Sequence, residues 1–141
     1  MKDWSILLIK NTKGTLLQRL YWWLIRVCTN AGYNHCQLVR DFNGTLYICE
    51  SNVSGFCVTK TLARWQKEQK TMERVYKVID IAGASEERFK TLLGNKYDAG
   101  YWVYLFKNYS SYKSTNCFQS VAFIFNINKY WLATANTFIK L

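Results

Sequence analysis

Apolar residues recur along the 141-residue chain with two different periods, and the alternation between them predicts the elements. Ile6 to Ile9 are four consecutive aliphatic residues, so Ser5–Ile9 is expected to be a buried first strand. Lys13-Gly14 then turns the chain, and Thr15 caps a helix running to about Cys28. Leu16, Leu20, Trp23, Leu24 and Val27 follow helical spacing, and Tyr21 and Trp22 widen the apolar face. Packing into the core is the first expectation for that face. A substrate- or membrane-facing role is the second, because the face is broader than one core stripe needs. Asn34–Arg40 and Thr45–Ser51 read as strands joined at Asn43-Gly44, a strong hairpin signal.

Further along, Thr59 to about Gln69 predicts a short helix carrying Leu62 and Trp65, and Val75–Ile81 alternates as a strand. Ser85 caps a helix whose acidic first turn, Glu86 and Glu87, complements the helix dipole, and Gly94 ends it. Tyr97–Phe106 is apolar, aromatic and helical by length. Ser114–Asn116 offers three caps for a helix from Cys117 to about Phe125, and Leu132–Leu141 supplies a last strand or a docked helix. Together these predict a single α+β domain spanning 1–141, a mainly antiparallel sheet with helices packed against it.

Composition narrows the function classes. Half the residues are hydrophobic and 17% aromatic, which is ample core material and argues against disorder. Nineteen Lys and Arg face nine Asp and Glu, for a formal charge of +10. That balance favours anionic partners such as nucleic acid, anionic lipid or a cell-wall polymer. The cations are scattered, however, and no nucleic-acid motif accompanies them, so nucleic acid is not the expected partner. Five cysteines without a CxxC pair, beside one histidine, do not make a standard zinc set. No metal or organic cofactor is implied. Neither a signal peptide nor a membrane-spanning run is visible, and a cytoplasmic protein touching anionic surfaces at most peripherally is expected.

Candidate chemistry starts in the hairpin. A two-residue Asn43-Gly44 loop sets Phe42 opposite Thr45, Gln37 opposite Glu50 and His35 opposite Asn52. Side chains alternate faces along a strand, so His35, Gln37, Glu50 and Asn52 share one face and Cys36 and Cys49 take the other. His35 and Glu50 lie on a diagonal, roughly 7–8 Å apart at the backbone, within reach of two long side chains. A carboxylate so placed can hold an imidazole in one tautomer. The pair needs a nucleophile, and Cys117 is placed for it. A helix N-terminus and a nearby imidazolium both favour a thiolate, and first-turn N–H groups lack helical partners and can hold an oxyanion. Cys28 sits at the wrong helix end for this, while Cys57, in a loop after Gly55-Phe56, is left open.

These residues resemble the circularly permuted branch of the NlpC-like, papain-related cysteine peptidases and amidases. The segments that carry the likeness are Tyr33-Asn34-His35-Cys36-Gln37-Leu38-Val39, Tyr47-Ile48-Cys49-Glu50 followed by Gly55, Lys96-Tyr97-Asp98, and Asn116-Cys117-Phe118-Gln119-Ser120-Val121. The Asn-Cys pair is also similar to that of lecithin:retinol acyltransferase relatives, which share the permuted order. The likeness covers nearly the whole chain as an order of elements, and each motif is short. It implies a permuted papain-like fold and a triad of Cys117, His35 and Glu50. Phe118 stands where relatives often carry Ser or Glu, and Ala135-Asn136-Thr137-Phe138 occupies a region where they commonly have proline. The likeness therefore leaves the substrate open.

The first expected function is a thiol hydrolase acting on an amide, ester or thioester. Cys117 supplies the nucleophile, His35 the acid and base, and Glu50 the orienting carboxylate. Tyr33, Tyr97 and Gln37 are the alternatives for a second oxyanion donor or substrate contact. Peptide, cell-wall peptide and an acylated small molecule or lipid are the expected substrates. A lipid acyltransferase or thioesterase using the same triad is the second reading, and a non-catalytic basic module for nucleic acid is the third.

Overall fold

Five strands form an antiparallel sheet in the order β4-β3-β2-β1-β5: β1 is Trp4–Lys10, β2 His35–Phe42, β3 Thr45–Asn52, β4 Gly55–Thr61 and β5 Val75–Asp80. A parallel pair, β6 (Lys96–Tyr97) and β7 (Ser114–Thr115), forms a second small sheet. Helices α1 (Leu16–Thr29), α2 (Leu62–Met72), α3 (Glu86–Leu92), α4 (Cys117–Ile124) and α5 (Ala135–Ile139) complete a single α+β domain. The computed structural model describes residues 4–52, 54–72, 74–97, 114–128, 130 and 133–140. The helix expected over Tyr97–Phe106 falls, after Tyr97, outside the described residues; Lys96–Tyr97 itself is strand.

The aliphatic run of β1 is explained by its position. It pairs with β2 on one side and β5 on the other, and helices cover both faces of the sheet. Ile6 and Leu8 join Cys36, Leu38, Phe89, Phe118, Val121 and Phe138 in the larger core, toward α3, α4 and α5. Leu7 and Ile9 join Val39, Ile48, Leu62 and Trp65 in a smaller core under α2. A strand buried on both faces has no polar alternation to show. Arg40 closes one end of the larger core: its guanidinium stacks on Trp4, Phe42 and Phe89 and pairs with Glu86 of α3.

The β2–β3 hairpin turns on Asn43 (φ 55°) and Gly44 (φ 84°), both left-handed, the two-residue turn whose twist matches the strands it joins. Phe42 faces Thr45 and Leu38 faces Cys49, the register expected.

Two expectations need correction. The segment before Leu62 is strand, so the helix starts later than Thr59, runs on to Met72, and Cys57 lies in β4 rather than in a loop. Long-range pairing overrides local signals here. The Phe56 N–H donates to the Asn95 carbonyl at 2.9 Å, and the Gly94 N–H donates to the Phe56 carbonyl at 2.8 Å. Gly55 permits this approach: it sits at φ 101°, and a Cβ there would lie 2.3 Å from the Asn95 oxygen. The second correction concerns α1. Thr15 does cap it, accepting from the Gln18 N–H in a reciprocal capping box. Its wide apolar face, however, does not pack inward: Leu16 is 80% exposed and Leu17 77%, while Ile25 is buried.

Candidate active site

His35 opens β2, the central strand of the sheet, at the point where the chain returns from α1. Its approach is fixed by Asn34. The Asn34 side chain accepts from the Asn11 N–H and donates to the Asn11 carbonyl, both at 2.9 Å, and the Asn34 N–H donates to the Ile9 carbonyl. These buried bonds latch the start of β2 to the end of β1, so the residue that follows has little freedom.

The strand parity holds at the level of side chains. His35 Nε2 lies 3.0 Å from Glu50 Oε2, and the Gln37 amide also donates to Glu50 Oε2. Glu50 thus holds the imidazole while Gln37 holds Glu50. The other neighbour of the ring is Cys117, which lines the same small cleft as His35. Burial lowers the pKa of His35, but the charge and hydrogen bond of Cys117, reinforced by those of Glu50, push it up to about 10. Burial likewise raises the Glu50 carboxyl, yet the His35 and Gln37 hydrogen bonds and the nearby charges of His35 and Lys60 bring it below its ordinary value. The imidazolium is therefore the favoured form of His35 at neutral pH.

Cys117 is the first residue of α4, and the helix start is built by its predecessor. Asn116 Oδ1 accepts from the N–H groups of Phe118 (2.9 Å) and Gln119 (3.0 Å), and Gln119 Oε1 accepts from the Asn116 N–H. Of the three expected caps, Asn116 is the one used, while Ser114–Thr115 forms β7. The cap takes the second and third N–H groups of the helix and not that of Cys117. A donor beside the sulfur, at the positive end of the helix, suits a developing oxyanion. The helix is tied to the sheet by Ser120, whose Oγ lies 2.6 Å from Ser51 Oγ, next in chain to Glu50.

The other cysteines differ in setting. Burial raises the Cys36 thiol well above its ordinary value and pushes Cys49 up to about 12, so both are held as thiols. Cys57 is half-buried in β4, where the Asn52 amide approaches its sulfur. Cys28 lies in the last turn of α1.

Two clefts meet at His35. A small one, about 70 Å³, lies beside Cys117 and is bounded by Asn11, Asn116 and the α1 residues Tyr21, Trp22 and Ile25. A larger one, about 630 Å³, extends between α1 and α2 past His35, Gln37 and Glu50 to Lys60, Trp65 and Gln69. Gln37 Oε1, Trp65 Nε1 and Gln69 Oε1 are buried there without hydrogen-bond partners among the described residues. Unmade bonds of buried polar groups are costly, and these three atoms carry that cost at the wall of the cleft. A third cleft of about 570 Å³, on the outer side of α2, is basic, with Lys67, Lys70 and Arg74 in its lining, and holds neither cysteine nor histidine.

The structure thus gathers Cys117, His35, Glu50 and Gln37. Tyr33 packs instead against the larger core; Tyr97 stands in β6, and its side chain lies outside what the structure describes. Sequence reasoning did not reach the Asn11–Asn34 latch, the Ser51–Ser120 contact or the far wall formed by Trp65 and Gln69, because none of these pairings follows a local spacing rule. Among the described residues no group of three or more His, Cys, Asp or Glu side chains could hold a metal ion, and no helix is long and apolar enough to cross a membrane. No family model, curated protein or solved structure matches the chain.

Proposed function

We propose that the protein is a cysteine hydrolase of the peptidase or amidase type, with a permuted papain-like (NlpC-like) fold, that cleaves an amide, ester or thioester through an acyl-enzyme. The observation carrying this reading is a histidine held between a carboxylate and a cysteine at a helix start. The Cys117 sulfur, its proton resting on His35, adds to the substrate carbonyl carbon. The oxyanion forms beside the Cys117 N–H. Collapse breaks the bond to the leaving group, which departs with the proton from His35. Water then attacks the thioester, giving a proton to His35; the acid leaves, and the sulfur again shares its proton with the imidazole. Glu50 keeps the ring oriented throughout. The polar lining of the larger cleft supports a peptide or other amide-bearing substrate.

Lipid acyl transfer through the same triad is the second reading, supported by the exposed apolar face of α1, whose inner side borders both clefts. Acid-quenched mass spectrometry tests both. Incubation with an activated ester, with acylated peptides including muropeptides, and with phospholipid should leave an acyl adduct on Cys117 that Cys117→Ala lacks. Release of free acid marks a hydrolase, and passage of the acyl group to an added lipid amine or hydroxyl marks a transferase. Turnover unchanged in Cys117→Ala would overturn both. A chain whose only activity is salt-dependent nucleic-acid binding, lost on substitution of its lysines, would be the basic module instead.

A further inference from the structure

Among the described residues, none covers the outer face of α1. Leu16, Leu17, Leu20, Trp23, Leu24 and Val27 are each at least 41% exposed. At about 3.6 residues per turn, these six fall within roughly 120° of arc, a continuous stripe along the helix. Tyr21, Trp22 and Ile25 lie on the other side and border the cleft beside Cys117. Among the described residues, the helix therefore has its inner side occupied and its outer side exposed.

The charge around the stripe says what it meets. From Trp4 to Val39 the chain carries no Asp or Glu, but it carries Lys10, Lys13, Arg19 and Arg26. Arg19 and Arg26 fall together along one border of the stripe by helical spacing. Arg19 is exposed and Arg26 half-buried. A short helix with leucine, tryptophan and valine on one arc, arginines at its border and no acid is suited to lying in the plane of an anionic bilayer surface. There the apolar side chains enter the acyl boundary and the cations meet phosphates. With 14 residues the helix can lie on a membrane but not span it.

We propose that α1 is an interfacial helix that docks the protein on an anionic phospholipid surface through Leu16, Leu17, Leu20, Trp23, Leu24 and Val27, with Arg19 and Arg26 at the headgroups. Docking this way places the cleft beside Cys117 directly behind the membrane-bound helix. The inference goes beyond the proposed catalysis and holds whether or not Cys117 is a nucleophile.

Co-sedimentation of the full chain with extruded vesicles tests it. Vesicles of phosphatidylcholine with about a third phosphatidylserine should bind at least about tenfold more tightly than phosphatidylcholine alone, and salt should weaken the difference. Leu20→Asp with Trp23→Asp should lower binding at least about tenfold at unchanged circular dichroism. Arg19→Glu should lower binding to the anionic vesicles selectively. Cys117→Ala should bind like the parent, which separates this test from that of the active site. Should the double aspartate variant fail to fold, a second measurement remains: brominated lipid should quench the parent's tryptophan emission, and quench Trp23→Phe less. No association with either vesicle overturns the proposal, and so does equal binding to both. A lipid-free dimer that the double variant converts to monomer, with no vesicle binding, overturns it in favour of a second copy of the chain.

Discussion

The hydroxyls of Ser51 and Ser120 meet at 2.6 Å, buried between β3 and α4. Each is close in sequence to a residue of the site: Ser51 follows Glu50, and Ser120 is one helical turn beyond Cys117. The contact thus sets the helix that begins at Cys117 against the strand that carries Glu50. Ser120→Ala leaves the Ser51 hydroxyl buried without this partner and should destabilise the protein by about 1–3 kcal/mol. The double replacement Ser51→Ala with Ser120→Ala should cost less than the sum of the singles, because it removes both polar groups. Urea denaturation measures these costs, and single-turnover acylation should slow in Ser120→Ala even where the chain is fully folded.

Cysteine alkylation should be selective. Cys36 and Cys49 are buried, with pKa values pushed up, Cys49 to about 12, so neither should react near neutral pH. Brief iodoacetamide treatment at pH below about 7, followed by peptide mass mapping, should place the label on Cys117. His35→Ala should slow that labelling by about tenfold or more, since the imidazolium is lost. Label spread evenly over several cysteines would count against the triad.

The histidine should titrate late. Its pKa is held at about 10, with Cys117 contributing ahead of Glu50. Imidazole resonances followed by NMR should show the protonated form through neutral pH. The midpoint should fall in Cys117→Ala and, by a smaller amount, in Glu50→Gln. Turnover should decline as pH approaches 10, where the proton destined for the leaving group is lost.

Stability carries the same signature. An unfolded histidine releases its proton near 6.5 and the folded one near 10, so this contribution is complete below pH 6.5 and is lost as pH rises toward 10. Glu50 runs the other way: its carboxyl is held below its ordinary 4.5, so its contribution is present above pH 4.5 and is lost as pH falls further. The pair stabilises most between these limits. Denaturation of the parent and of Glu50→Gln across pH should show the gap widest there and narrowing in acid and in strong base.

Gly55→Ala should be among the more damaging small substitutions. The backbone sits at φ 101°, and the new methyl would stand 2.3 Å from the Asn95 carbonyl oxygen. Strain of that kind costs on the order of 1–3 kcal/mol before any clash is relieved. Thermal melts should register it. Gly44→Ala, at φ 84° with open space around it, should cost less.

Much of this arrangement was legible in the residues. Period-two alternation around Asn43-Gly44 put His35, Gln37 and Glu50 on one face, and short cap signals marked the starts of α1, α3 and α4. The exposure of the α1 face is not legible in the sequence, because periodicity reports that a helix has an apolar side, not what covers it. The strand Gly55–Thr61 went unread because its pairing depends on β3 and on the backbone of Gly94 and Asn95. The meeting of His35 with Cys117 joins residues far apart in the chain, and only the assembled sheet and α4 bring them together.

The tight turn at Asn43-Gly44 also limits how this protein can vary. Adding one residue to that turn, with the ladder closing one step along, would rotate the whole of β3 by half a period. Cys49 would then come to face the imidazole, and Glu50 would be buried in the larger core. Adding two residues would restore every orientation. Length changes at this loop should therefore be tolerated in even steps and rejected in odd ones, so that related chains would differ here by pairs of residues.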